Sequence, residues 1–386
     1  MIPYGRQDIS QEDIDAVVET LRSDFLTQGP AVPRFEKVVA DYVGATHAVA
    51  VNSATSALHI ACLALGLGPG DWLWTSPITF VASANCALYC GANVSFVDID
   101  PDTYNLSVED LERRLISAER DGRLPKIVVP VHLCGQSCDM AAIADLAKRF
   151  QFKLIEDASH AIGGRYGNGS VGNCRYSDIT ILSFHPVKIV TTAEGGMALT
   201  NDDALAAKMA LLRSHGITRD PSSMDGGSEG PWYYQQIDLG FNYRMTEMQA
   251  ALGLSQMARI ETFVSRRQDI ARRYDELFRD TSLVRPVQKP YAYSAYHLYP
   301  VRVSSAIRRE VFESLRESGI GVNVHYIPVH LQPYYRAMGF APGDYPEAER
   351  YYAEAISLPL FPAMTDMMQD QVVAATKSAL QSAKGT

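Results

Sequence analysis

The 386-residue sequence has little charge and no long apolar run. Charged residues make up 20% of the chain and the formal net charge is -9, which argues against nucleic acid as a partner because an acidic surface repels phosphate backbones. The opening MIPYGRQDIS has no basic stretch followed by an apolar one, so no signal peptide is predicted. ASANCALYCGANVSFV is too short and too polar to span a bilayer. We therefore expect no membrane association and a cytoplasmic location.

The sequence also lacks metal-binding clusters and the phosphate loop of ATP-binding proteins. The six cysteines are scattered, and no second ligand group accompanies His132, Cys134 and Cys138, so we predict free thiols and no metal site. The motif GxxxxGK[ST] does not occur, which disfavours a phosphate loop of the ATP type. A chain of this length with 47% hydrophobic residues suits two domains with a sizeable core.

Short β-branched runs alternate with amphipathic helical stretches over the first two-thirds of the chain. This alternation predicts an α/β fold with a mostly parallel sheet, and the near-continuous apolar runs indicate strands buried on both faces. The predicted strands are AVAV (48–51), WLWTSPI (72–78), VSFVDI (94–99), KIVVPVHL (126–133), KLIED (153–157), SDITILSF (177–184) and GMALTN (196–201).

The character of the sequence changes in the last third. Residues 218–236 are rich in Gly, Ser and Pro, which predicts a long mobile loop. One long helix is predicted from about Thr246 to Phe278, followed by strand, helix and strand segments of a smaller α+β domain. We expect a large domain over residues 1–245 and a small C-terminal domain over residues 246–386. The N-terminal segment could pack on the small domain.

Small and polar residues follow the strand AVAV, at the place where ligands bind in open parallel sheets. Ser53, Ala54 and Thr55 begin the next helix, where exposed backbone N–H groups and the helix dipole favour an anion. This segment could be a phosphate-binding turn. The alternative is a plain N-cap with no ligand.

Three later positions complete the pattern of a pyridoxal-phosphate (PLP) site. Phe80 could stack on a planar cofactor, although an aromatic residue there is more often core. Asp157 ends the strand KLIED and could keep a pyridinium nitrogen protonated, or it could be an N-cap or surface acid. Lys188 follows the strand TIL, where partial desolvation would make its amine a competent Schiff-base former, with His185 as a rival base.

The same stretches resemble the DegT/DnrJ/EryC1 family of PLP-dependent sugar-nucleotide aminotransferases, almost from end to end. The matching segments are FLTQGPAVPRFE, VNSATSAL, SPITFVASAN, IEDASHAIGG, ILSFHPVKIVTTAEGGM, GFNYRMTEMQAALG, VNVHYIPVH and AISLPLFPAM. The resemblance implies the aspartate aminotransferase-like fold (fold type I), PLP as cofactor, L-glutamate as amino donor, and a homodimer with the active site at the subunit interface.

The resemblance also implies roles for individual residues. Lys188 would form the Schiff base and Asp157 would pair with the pyridine nitrogen, which makes these two the predicted catalytic residues. The full predicted cofactor set is Ala54, Thr55, Phe80, Asp157, His160, Ser183, Lys188 and Asn242, with Asn242 reaching the phosphate in the neighbouring subunit. The predicted substrate residues are Tyr4, Leu26, Thr27, His325 and Tyr326.

Two segments, TSPITFVASANCALYCGA and SDFLTQGP, resemble most closely the members that aminate UDP-4-keto-6-deoxy-N-acetyl-altrosamine for pseudaminic acid synthesis. Acceptors of the bacillosamine or perosamine type remain open, as does a non-catalytic sugar-nucleotide sensor. Some relatives carry histidine at the lysine position and act as dehydratases. Lys188 occupies that position here, so transamination is expected.

Overall fold

Helices and strands alternate along the chain in the computed structural model, which describes residues 1–383. The helices are α1 (Gln11–Leu21), α2 (Ala31–Val43), α3 (Ala54–Ala64), α4 (Ala82–Tyr89), α5 (Val108–Arg120), α6 (Met140–Phe150), α7 (Asp203–Arg213), α8 (Glu247–Met257), α9 (Ile260–Leu277), α10 (Arg308–Glu317), α11 (Pro333–Arg336), α12 (Pro346–Glu354) and α13 (Asp366–Ser382). The strands are β1 (His47–Val51), β2 (Trp72–Thr75), β3 (Asn93–Phe96), β4 (Ile127–Val129), β5 (Lys153–Asp157), β6 (Arg165–Tyr166), β7 (Gly169–Ser170), β8 (Ile179–Ser183), β9 (Gly196–Thr200), β10 (Ile217–Thr218), β11 (Gln235–Gln236), β12 (Ala292–Tyr293), β13 (Tyr299–Arg302) and β14 (Ala355–Leu358).

Seven strands form the central sheet in the order β1-β9-β8-β5-β4-β2-β3. β9 is antiparallel to both its neighbours, and the other adjacent strands run parallel. Because β1 and β8 are both antiparallel to β9, they run in the same direction as each other. The carboxyl ends of the six strands other than β9 therefore meet at one edge of the sheet. The predicted mostly parallel sheet is confirmed, and this edge is where its ligand site must lie.

Apolar cores cover both faces of the sheet. Along β9, Met197 and Leu199 pack in the core with α2, whereas Ala198 packs on the opposite face in the core with α3. The residues alternate between the two faces because successive side chains of a strand point to opposite sides of the sheet. Both faces are apolar because helices cover both, which explains why the strands read as continuous hydrophobic runs.

The prediction of a single long helix from Thr246 to Phe278 is wrong. α8 ends at Met257 and α9 begins at Ile260, with a break at residues 258–259. Arg259 uses the break to contact the N-terminal segment, at 2.7 Å from Asp8 and 2.5 Å from Asp13. These charge-assisted bonds stabilise a bend that the local sequence does not signal.

The second half of the chain contributes a separate apolar core. Phe263 and Val264 of α9 still pack with the central sheet, whereas Ile270 and Tyr274 pack with β13 and β14. Ile2 also contacts this second core and forms backbone hydrogen bonds with residues 319 and 321. The division into residues 1–245 and 246–386 stays a prediction, and residues 384–386 lie outside the described chain.

The predicted loop at residues 218–236 is bounded by structure at both ends. β10 and β11 pair as an antiparallel ladder, with Ile217 opposite Gln236, so the segment is the tip of a hairpin. Trp232 at this tip is 71% exposed. Across residues 1–383, no helix combines the length and apolar character needed to traverse a bilayer.

Candidate active site

The amino end of α3 lies at the ligand edge of the sheet and is built to receive an anion. Ser53 caps the helix by accepting a hydrogen bond of 3.1 Å from the Ser56 N–H. The N–H groups of Ala54 and Thr55 lie in the first turn, where a helix provides no intrahelical acceptor. Gly196, at the start of β9, packs directly on this turn: a Cβ there would lie 2.4 Å from the Ala54 nitrogen. Only glycine permits that approach.

Asp157 ends β5 and is held in one orientation by two neighbours. Its carboxylate accepts a 2.7 Å hydrogen bond from the Ser83 hydroxyl and a 3.1 Å hydrogen bond from the Ser159 N–H. The Thr79 hydroxyl lies 2.7 Å from that of Ser83, which extends the chain of donors. Asp157 is buried, with 4% of its surface exposed, and these two hydrogen bonds fix the orientation of its side chain.

Lys188 follows β8 in the turn after Ser183 and shares a cavity with Asp157. Burial lowers the pKa of Lys188 from 10.5 to about 8, and the Asp157 carboxylate opposes part of that effect. A pKa of about 8 leaves a sizeable neutral fraction near pH 7–8. The amine can therefore act both as a nucleophile and as a proton carrier at neutral pH.

Three histidines lie beside the amine, and burial holds all three neutral. The pKa values of His160 and His297 are lowered well below the usual range, and that of His325 to about 4, with the charge of Lys188 adding to the effect. The Cys134 N–H donates to His160 Nδ1 at 3.2 Å, so the proton of this ring sits on Nε2. That nitrogen lies 3.1 Å from the Tyr326 hydroxyl and donates to it.

These groups line one cavity of about 970 Å³ at the carboxyl edge of the sheet. The size is at the upper end for small-molecule sites. The predicted residues that line the cavity are Tyr4, Ala54, Thr55, Phe80, Asp157, His160, Ser183, Lys188, His325 and Tyr326. Segments from both ends of the chain therefore converge on one place.

Leu26, Thr27 and Asn242 do not line the cavity of this chain. Leu26 is 46% exposed, and its carbonyl accepts the N–H of Glu247. Asn242 is exposed, and its carbonyl lies 3.4 Å from the Asn52 amide. The roles assigned to these three residues stay predictions.

The sequence reasoning missed two groups of the site. Ser83, the hydroxyl that orients Asp157, lies in the quoted segment SPITFVASAN, and its position one helical turn after Phe80 was the available signal. His297 lines the cavity with its ring centroid 4.4 Å from that of His160. No local pattern marks His297, which lies two residues before β13.

The residues present fit PLP. An amine with a depressed pKa (Lys188), a buried and oriented carboxylate (Asp157) and a helix start suited to a phosphate (Ala54, Thr55) lie around a single cavity. Phe80, 59% exposed in the protein, presents its ring beside Tyr326 at this cavity. The set supplies a partner for each reactive part of the cofactor: its aldehyde, its ring nitrogen and its phosphate.

The fold and the site together define a PLP-dependent transferase. A model of the DegT/DnrJ/EryC1/StrS aminotransferase family matches residues 7–377, and the chain belongs to this family. It is 40% identical to the Bacillus subtilis spore coat polysaccharide biosynthesis protein SpsC, over 99% of this chain and 98% of that protein. It is also 39% identical to a UDP-4-amino-4,6-dideoxy-N-acetyl-beta-L-altrosamine transaminase of Campylobacter jejuni, over 93% and 92%.

Solved structures agree with this assignment. Helicobacter pylori PseC, an aminotransferase involved in the biosynthesis of pseudoaminic acid, superposes with a TM-score of 0.91 at 31% identity, covering 99% of both chains. Streptococcus pneumoniae Spr1654, solved in PLP and PMP forms, gives 0.89 for the PLP form at 30% identity, also covering 99% of both. The predicted fold type I, the PLP cofactor and the aminotransferase class are confirmed, and the chain is a PLP-dependent sugar aminotransferase.

Proposed function

We propose that this enzyme transfers an amino group from L-glutamate to C4 of a UDP-linked 4-keto-6-deoxy-N-acetylhexosamine of the altrosamine type. The observation that carries the proposal is that the Lys188 amine and the oriented Asp157 carboxylate line the same cavity of about 970 Å³. The Campylobacter jejuni transaminase and PseC support the choice of acceptor, since each is named for that chemistry or pathway.

The residues of this chain divide the work between binding and proton transfer. Lys188 would hold the cofactor, and Ala54, Thr55 and Ser183 would hold its phosphate. When bound, PLP supplies an electron sink for the electron pair left on the donor's α carbon, and Asp157 would sustain that sink by pairing with the ring nitrogen. Lys188 Nζ would take the proton from the α carbon of L-glutamate.

The neutral histidines His160 and His325 would serve the sugar side of the site. Because burial keeps His160 and His325 uncharged, they would not compete with the ring nitrogen of the cofactor for the Asp157 carboxylate. His160 donates to Tyr326, and both lie on the wall that Tyr4 and His325 extend, with the rings of Tyr4 and His325 5.2 Å apart. This wall is where the sugar would lie.

We also propose that the active form is a homodimer. Asn242 lies outside the cavity of its own chain and is exposed, which is the placement required of a residue that serves a neighbouring subunit. Sedimentation of the enzyme at micromolar concentration tests this proposal. In a second experiment, cofactor retention by Asn242→Ala is compared with that of the wild type. A monomer that retains full activity would contradict it.

The acceptor is tested by product mass. The enzyme is incubated with L-glutamate and, one at a time, UDP-linked 4-keto-6-deoxy sugars of the altrosamine and bacillosamine types and a perosamine-type nucleotide sugar. We expect a mass consistent with replacement of a keto oxygen by an amine with the altrosamine-type acceptor, and none with Lys188→Ala. Amination of another sugar alone would reject the acceptor and keep the aminotransferase, whereas loss of water without amine gain would indicate a dehydratase.

SpsC gives a specific reason to include the other acceptors. It matches more of this chain than the Campylobacter jejuni transaminase does, and its name refers to a spore coat polysaccharide. A nucleotide sugar that serves a polysaccharide is therefore the second candidate acceptor.

A further inference from the structure

Arg267, on α9, is a buried cation without a counter-charge. Only 1% of its surface is exposed, and in the described chain its guanidinium pairs with no carboxylate. Instead it donates to three backbone carbonyl oxygens, those of Tyr296 at 3.1 Å and of His297 and Leu360 at 3.2 Å. Burial lowers the pKa of Arg267 to about 9, which leaves it charged at neutral pH.

Such a residue is costly for folding. A buried charge is destabilising unless its hydrogen bonds offset the loss of hydration, and an apolar replacement of similar size is often neutral or stabilising. Arg267 therefore calls for an explanation other than stability. Two of the three carbonyls that it holds, those of Tyr296 and His297, belong to the segment that carries His297 into the active site.

The same segment is held from its other side by the turn at Cys134 and Gly135. The Ala295 N–H donates to the Gly135 carbonyl at 3.0 Å, and the Leu298 N–H to that of Cys134 at 3.3 Å. Gly135 has φ +108°, and a Cβ there would lie 2.7 Å from the Tyr296 nitrogen. Residues 295–298 are thus clamped between this turn and Arg267.

The clamp fixes the position of His297. This side chain is 4% exposed, and its Nδ1 has no hydrogen-bond partner within the described chain, so its own bonds do not set its orientation. Its backbone sets it, and the result is a ring centroid 4.4 Å from that of His160. His160 in turn bonds to Cys134 and Tyr326.

We propose that Arg267 is a positioning residue of the active site. It holds the carbonyls of Tyr296 and His297 so that the His297 ring packs on His160 and keeps that ring where Nδ1 accepts from the Cys134 N–H and Nε2–H donates to Tyr326. This role concerns the aminotransferase site as such, and it does not depend on which keto sugar is the acceptor.

The first test compares Arg267→Met with a matched control on the same helix. Arg266→Met also removes a cation, but Arg266 contacts the Met364 carbonyl and Asp366, and it does not contact the clamped segment. We expect kcat for the half-reaction with L-glutamate alone to fall roughly 10- to 100-fold in Arg267→Met, the cost of misplacing a catalytic group by about 1 Å. Arg266→Met should keep kcat within twofold.

A second readout separates positioning from mere stability. Imidazole ¹⁵N spectra of the enzyme should show His160 with a bare Nδ1 in the wild type, and a mixture of tautomers in Arg267→Met. A variant with altered melting temperature but unchanged kcat and unchanged His160 tautomer would overturn the proposal.

His297 variants keep the test decisive if Arg267→Met does not fold. His297→Phe preserves a ring against His160, whereas His297→Ala removes it. We expect the Phe variant to turn over at least roughly fivefold faster than the Ala variant, since misplacement of His160 is the cause of the loss. Equal activities of the two variants would overturn the proposal.

Discussion

Replacing Lys188 by methionine should stabilise the cofactor-free protein while abolishing its activity. The amine must lose hydration to stand in the cavity, and this cost appears as the depression of its pKa from 10.5 to about 8. At about 1.4 kcal/mol per pKa unit, that interval corresponds to about 3 kcal/mol. Methionine has a similar length and carries no charge, so the variant escapes this cost.

The pH dependence of this effect has a definite sign. Below about pH 8 the lysine is charged in both the folded and the unfolded chain, so the folded state bears the full cost. Above the unfolded pKa of 10.5 the amine is neutral in both states, and the cost disappears. The gain from Lys188→Met should therefore be largest near pH 7 and vanish toward pH 10.5.

Urea unfolding of both proteins, stripped of cofactor and held at one protein concentration, measures the difference. We expect the free energy of unfolding of Lys188→Met to exceed that of the wild type by up to about 3 kcal/mol at pH 7. A variant that is less stable than the wild type at pH 7, or a difference that does not change between pH 7 and pH 10, would refute the reasoning.

Three further predictions test Asp157, the Ser83 hydroxyl that orients it, and Gly196, which packs on the first turn of α3. Asp157→Ala should retain some PLP yet lose most activity, and near-normal turnover would remove the carboxylate from its assigned role. Ser83→Ala removes a charge-assisted hydrogen bond worth about 2 kcal/mol, so kcat with L-glutamate should fall at least tenfold, and an unchanged kcat would show that Asp157 needs no orienting donor. Gly196→Ala should abolish PLP retention during dialysis, because its Cβ would meet the Ala54 nitrogen at 2.4 Å, while Gly68→Ala, with no atom within 4 Å, serves as control. Retention of PLP by Gly196→Ala would contradict the close approach.

Much of the sheet could be predicted because its signals are local. KLIED is β5 from its first residue to its last, since an apolar run bounded by polar residues defines a buried strand. The strand KIVVPVHL was predicted over residues 126–133, but β4 covers Ile127–Val129. Pro130 interrupts the ladder there because it has no N–H to donate.

Features that depend on distant partners could not be predicted in this way. The break between α8 and α9 depends on ion pairs that reach back to the first residues of the chain, Asp8 and Asp13. The β10–β11 pairing joins residues on either side of a polar segment, which local composition describes only as a loop.

The site shows the same contrast. Asp157 and Lys188 directly follow strands, so position in the fold marked them as ligand residues. His297 reaches the cavity only because Arg267 and Gly135 clamp its backbone, and neither residue is near it in sequence.

The most direct test of the account is a two-step titration followed by the absorbance of the bound cofactor. L-Glutamate is first added to the yellow enzyme and then removed, and a UDP-linked 4-keto altrosamine-type sugar is added. We predict that glutamate bleaches the yellow band and that this sugar restores it. If glutamate leaves the band unchanged, Lys188 and Asp157 do not support transamination from this donor, and the central claim is contradicted.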